Sequence, residues 1–129
     1  EEPALYLHIS PTESFIGGGL WMPQNKVLKR IRAAFDYDGE VFKKIINSSS
    51  FQSFYGGLAE DEHQLKTAPQ GYDKEHRHID LLRYKNLVAI RPLTEEEVIA
   101  EDFVDIVEQA YLKLKPMNDY FIQAMQVEA

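Results

Sequence analysis

Apolar and polar residues alternate along "LYLHI". Leu5, Leu7 and Ile9 fall on one side and Tyr6, His8 and Ser10 on the other, the two-residue period of a half-buried strand. "SPTES" reads as a turn and "FIGGGLWM" resumes apolar character, so residues 5–9 and 15–22 are expected to pair as an antiparallel hairpin. After Pro23, a residue favoured at the first position of a helix, the period changes. Val27, Leu28, Ile31, Ala34 and Phe35 recur at helical spacing and predict a helix over 24–35. Lys26, Lys29, Arg30 and Arg32 occupy its other side and read as a solvated stripe. "DYDGE" interrupts the pattern, and Val41, Phe42, Ile45 and Ile46 predict a second, short helix at 40–47. The serines of "SSS" can cap a further turn carrying Phe51 and Phe54, which "YGG" ends.

The middle of the chain, "LAEDEHQLKTAPQGYD", is polar loop with room for one short strand. Asp73 can cap a helix over 74–84, and "NLVAIRPL" predicts a strand at 87–93. Thr94 and Glu97 make a capping box for a long helix over 95–125, which Pro116 should kink or end. The element pattern is that of an α+β fold, a small antiparallel or mixed sheet with helices packed mainly on one face. Three consecutive glycines, Gly17, Gly18 and Gly19, weaken a strand and need a reason: a bulge, or another backbone passing close by. Trp21 and the other aromatics read as core.

A chain of 129 residues fits a single domain. It opens on Glu1 rather than Met and enters a strand almost at once, as expected of a piece of a longer protein. With no Cys, disulfides, thiolate metal sites and a cysteine nucleophile are excluded, which suits a reducing compartment. No apolar run is long enough to span a bilayer, so a cytoplasmic protein is expected. The net charge of −7 is unevenly spread. Residues 1–65 carry six basic and nine acidic side chains, residues 66–91 six and three, and residues 92–129 two and nine. A basic island in an acidic chain suits a small anion or an acidic protein surface. It does not suit extended nucleic acid, whose binding needs many phosphate contacts.

Four phrases, "YLHISPTESFIGGGLWMP", "LKTAPQGYDKEH", "IDLLRYK" and "RPLTEEEV", together resemble the bacterial family called domain of unknown function 2461, in that family's order and over nearly the whole chain. The resemblance implies a fold context and no established activity. It also implies a further helical and strand-bearing segment upstream, so this chain is expected to correspond to the C-terminal portion of the family domain. Where relatives tend to carry a small residue or Pro after the matching His76, this sequence has Arg77 and His78, and no family role is carried onto His78.

The candidate chemistry lies in "GYDKEHRHIDLLRYK". If 74–84 is helical, His76, Asp80 and Arg83 fall at i, i+4 and i+7 on one face, and His78 turns away. One reading is an ordinary surface ion pair worth tenths of a kcal/mol. The other is an anion clamp: Arg83 supplies bidentate donors, Lys66, Lys85 and Arg91 add positive field, and Tyr72 offers a ring or hydroxyl. With no complete catalytic set, a non-catalytic binding or scaffold module is expected. In the alternative, an enzyme acting on a small anionic or phosphorylated substrate, His76 oriented by Asp80 would exchange a proton. Backbone N–H groups near Gly17, Gly18 and Gly19, just before the first helix, could receive part of the anion. No Gly-x-Ser-x-Gly context supplies a serine nucleophile, the glycine run lacks the Lys-Ser/Thr of a phosphate loop, and the histidines lack metal-ligand spacing. No metal is expected, and the sequence specifies no cofactor.

Overall fold

The computed structural model describes residues 2–126. Three strands, β1 (Ala4–His8), β2 (Ser14–Leu20) and β3 (Leu87–Leu93), form an antiparallel sheet in the order β1-β2-β3. The expected hairpin and the third strand are present, and with five helices among the described residues the chain is α+β.

The glycine run is explained by close approach. A Cβ on Gly17 or Gly19 would collide with the carbonyls of Ala89 and Leu87 on β3, and one on Gly18 with Ala4 O and a δ-methyl of Leu114. Leu114 belongs to the long helix α5 (Phe103–Gln126), so Gly18 marks the place where that helix settles onto β2. Paired residues share a face, and the opposite face carries Tyr6, Gly17 and Ile90 in register. Tyr6 is 40% and Ile90 39% exposed, so the helices do gather on one side.

Helix α1 (Asn25–Ile46) merges the two helices expected at 24–35 and 40–47. The interruption at "DYDGE" is a kink at Asp38, whose backbone (φ −143°, ψ 41°) is not helical. Beyond it α1 continues, because Phe42 returns to the core beside Phe35, ring centroids 4.8 Å apart, and beside Phe121 of α5 at 5.4 Å. Such aromatic packing is worth more than its area alone. Helix α2 (Ser49–Tyr55) is capped by Ser48 Oγ, which accepts from Phe51 N, and it ends at Gly56 in the left-handed region.

The helix expected over 95–125 is two. Helix α4 (Glu95–Ile99) carries the Thr94–Glu97 capping box, and α5 starts afresh at Phe103. Pro116 is accommodated inside α5. The helix expected over 74–84 shrinks to α3 (Ile79–Leu82). Asp73 Oδ1 accepts from Glu75 N and His76 Nδ1 accepts from His78 N, so side chains take backbone donors that a helix would use. No short strand occurs within 58–73. That segment is irregular, tied by Ala59 N to Val88 O and by Leu65 N to Arg83 O, both at 2.8 Å.

Trp21 is not core but 53% exposed. It sits beside Met22, whose positive φ of 49° is held by a hydrogen bond from its N–H to Asn86 Oδ1 at 2.7 Å. Asn86 is buried, and its amide donates to Asp61 Oδ2. That bond is the main cause of the Asp61 carboxyl lying below its ordinary value.

Candidate functional site

The irregular turn at 72–78 packs against the kink of α1, and two histidine–carboxylate contacts join them. His76 Nε2 lies 2.6 Å from Asp36 Oδ1. Because His76 Nδ1 accepts the His78 N–H, the proton sits on Nε2 and is donated to Asp36. His78 is 4% exposed, and its ring lies over Gly39, where a Cβ would come within 2.6 Å of His78 Cδ2. Glycine at position 39 therefore makes room for that imidazole. Arg77 Nε donates to His78 Nε2 at 3.2 Å, and Glu40 Oε1 is 3.4 Å from both of those nitrogens. Glu40's own backbone N–H, then Arg77 and His78, hold its carboxyl below the usual range. His78 Nδ1 is buried without a hydrogen-bond partner among the described residues.

The rest of the cluster follows from the kink. Tyr120 of α5 donates its hydroxyl to Asp38 Oδ1 at 2.7 Å. Burial first, and Asp38 second, push its phenol far above the ordinary value. Tyr72 meets His76 edge-on at 5.9 Å, and burial with nearby Asp36 raises its phenol against the pull of Arg32. Arg32 does not belong to a solvated stripe: it donates to Leu82 O and Tyr84 O, carbonyls at the end of α3, and burial lowers its pKa. Arg30 likewise reaches Met125 O.

The expected triplet is not assembled as a triplet. Asp80 is 3.1 Å from Lys43 of α1, and His76 takes Asp36 instead. His78 does not turn away from His76: their ring centroids are 5.9 Å apart. Arg91 is held by Glu97 at 2.9 Å and lies 4.6 Å over the Phe54 ring. Gly17, Gly18 and Gly19 lie within β2, pressed against neighbouring backbone and side chains. Lys66 and Lys85 are exposed, Arg83 is half-buried, and none of the three has a carboxylate partner among the described residues. The backbone bond from Leu65 N to Arg83 O joins Arg83 to the residue that precedes Lys66. Arg83 Nε is buried and unpartnered. Glu60 and Asp80 lie near Tyr84, so the local field is mixed rather than purely positive.

Asp36, Asp38, Glu40 and Tyr120 were not singled out by sequence reasoning. The signal was present: three acids within five residues follow a stretch free of acids from Ser14 to Phe35, at the point where helical spacing breaks. Among the described residues, no group of three or more His, Asp or Glu is placed to hold a metal ion, and no helix is long and apolar enough to cross a membrane.

The fold and this polar seam define an α+β protein with a kinked helix buttressed by histidine–carboxylate contacts. The family model described as "Conserved hypothetical protein (DUF2461)" matches residues 1–120, and the chain belongs to that family. Comparison with curated proteins and with solved structures returns no match.

Proposed function

We propose that this chain is a non-catalytic binding module for an acidic ligand or an acidic protein surface, engaged through Lys66, Arg83 and Lys85. The observation behind this reading is a contrast among the cations. Within the basic stretch 66–91, Arg77 and Arg91 each have a carboxylate partner, whereas Lys66, Lys74, Arg83 and Lys85 have none among the described residues. A planar guanidinium and flexible ammonium groups both suit carboxylate or phosphate oxygens. Arg91, occupied by Glu97 and Phe54, serves the fold in this reading. A bacterial cytoplasm, reducing and rich in acidic metabolites and proteins, is the setting it implies.

The test is titration with inorganic phosphate and, separately, with polyglutamate. Arg83→Ala and Lys85→Ala should each weaken binding, and added salt should weaken it further. Binding of phosphate alone would point to a small ligand, and binding of polyglutamate alone to a protein surface. Binding of neither would end the proposal.

A second reading, an enzyme acting on a small anionic substrate, draws on the 2.6 Å His76–Asp36 contact, with His76 as acid or base. In that reading Asp36 takes the orienting role that spacing assigned to Asp80. Against it, both ring nitrogens of His76 are engaged, so it has no free lone pair with which to take a proton. Turnover that His76→Ala abolishes without loss of stability would displace the binding reading.

A further inference from the structure

We propose that a second site, a groove between α1, α2 and α5, binds a small amphipathic carboxylate with an aliphatic body. The groove encloses about 410 Å³, within the range of small-molecule sites. Its walls are apolar, formed by Ile45 of α1, Phe51 of α2, and Leu112 and Pro116 of α5. Leu112 is 48% exposed although it is a large apolar side chain in the middle of a helix. Covering such surface contributes roughly 25 cal/mol per Å².

The polar lining of the groove has one sign. Among the described residues, Lys44 and Lys113 are its only charged lining residues, with two serines and no acid. Neither lysine has a carboxylate partner among the described residues. Lys113 rests 5.6 Å from the Phe54 centroid, a weak contact that an anion could outcompete. In a chain of net charge −7, two unpaired ammonium groups over an apolar trough complement a molecule with one anionic end and a greasy tail. A neutral apolar ligand would leave them unused, and a polyanion would leave the apolar walls unused. Lys66, Arg83 and Lys85 do not line this groove, so the inference stands apart from the function proposed above.

The probe is octanoate, titrated into the full chain while backbone amide shifts are followed by NMR, with octanamide as the neutral control. Shifts are expected at Ser48, Phe51 and Leu112, saturating with octanoate and at least about tenfold weaker with octanamide. Lys44→Gln and Lys113→Gln should each reduce affinity by about threefold to tenfold. Leu112→Trp, which fills the trough from an exposed position, should abolish binding without moving the thermal midpoint. Equal binding of octanoate and octanamide, shifts confined to other parts of the chain, or no shifts at all would overturn the assignment. So would an acidic amphipathic helical peptide occupying the groove that octanoate does not enter.

Discussion

His76 and Asp36, forty positions apart in the chain, meet at 2.6 Å through Nε2 and Oδ1, and the other imidazole nitrogen accepts the His78 N–H. The imidazole thus bridges α1 and the 72–78 turn and selects its own tautomer. His76→Ala removes both hydrogen bonds and should lower unfolding stability by about 1–2 kcal/mol, read from the urea midpoint. His76→Gln, whose amide can reach only one of the two partners, should fall between. Equal midpoints for all three proteins would show that the bridge contributes nothing.

Gly39→Ala tests the seating of His78. The new methyl group would overlap a buried imidazole that Arg77 and Glu40 hold from the other side. A loss of about 1–3 kcal/mol is expected from overpacking. An unchanged midpoint would mean that the ring does not rest on that backbone.

Alkaline pH should destabilise the fold through Tyr55 and Tyr120. Burial raises both phenols well above the ordinary value of 10.0, and each hydroxyl donates to an acceptor, Ala110 O and Asp38 Oδ1. Their stabilisation is fully present below pH 10 and is lost as pH rises through 10 toward the folded values, because only the unfolded chain ionises there. Tyr120→Phe should cost about 1 kcal/mol at neutral pH and flatten the alkaline limb of a stability–pH curve. An alkaline limb unchanged by the substitution would contradict this origin.

Hydrogen exchange should rank the strands. Both β1 and β3 flank β2, but Leu87 and Ala89 of β3 are completely buried, whereas Leu5, Tyr6, Leu7 and His8 of β1 are exposed. Amides of 87–90 are expected to outlast those of β1 by orders of magnitude. Comparable exchange in the two strands would contradict this difference in burial.

Where local pattern and tertiary contact agree, the fold was legible. The two-residue alternation located β1, although its apolar side, Leu5 and Leu7, is exposed rather than half-buried; the apolar run located β3, and Thr94 with Glu97 marked the start of α4. Errors arose where a distant partner decided the outcome. Helical spacing in "KEHRHIDLLRY" put His76 above Asp80, yet Asp36 and Lys43, both on α1, captured one residue each. Arg32 reads as a surface cation until the end of α3 arrives to receive it. Trp21 reads as core because aromatics usually are, and nothing nearby in the chain foretells that Asn86 will hold Met22 in a positive-φ turn that leaves its neighbour exposed. Within the candidate site, the cationic residues were legible from charge alone. The acids facing the histidines were not, because pairing across forty residues leaves no spacing to read.

Binding of an acidic ligand at Lys66, Arg83 and Lys85 can be read residue by residue by mapping polyglutamate onto the chain through side-chain and backbone NMR shifts at low salt. The Lys26 and Lys29 helix face serves as an internal control, since its two ammonium groups are also exposed. Shifts should centre on Lys66 and 83–85, vanish in Arg83→Ala and persist in Lys26→Ala. Shifts spread evenly over both basic faces, unaffected by Arg83→Ala, would contradict binding at that site.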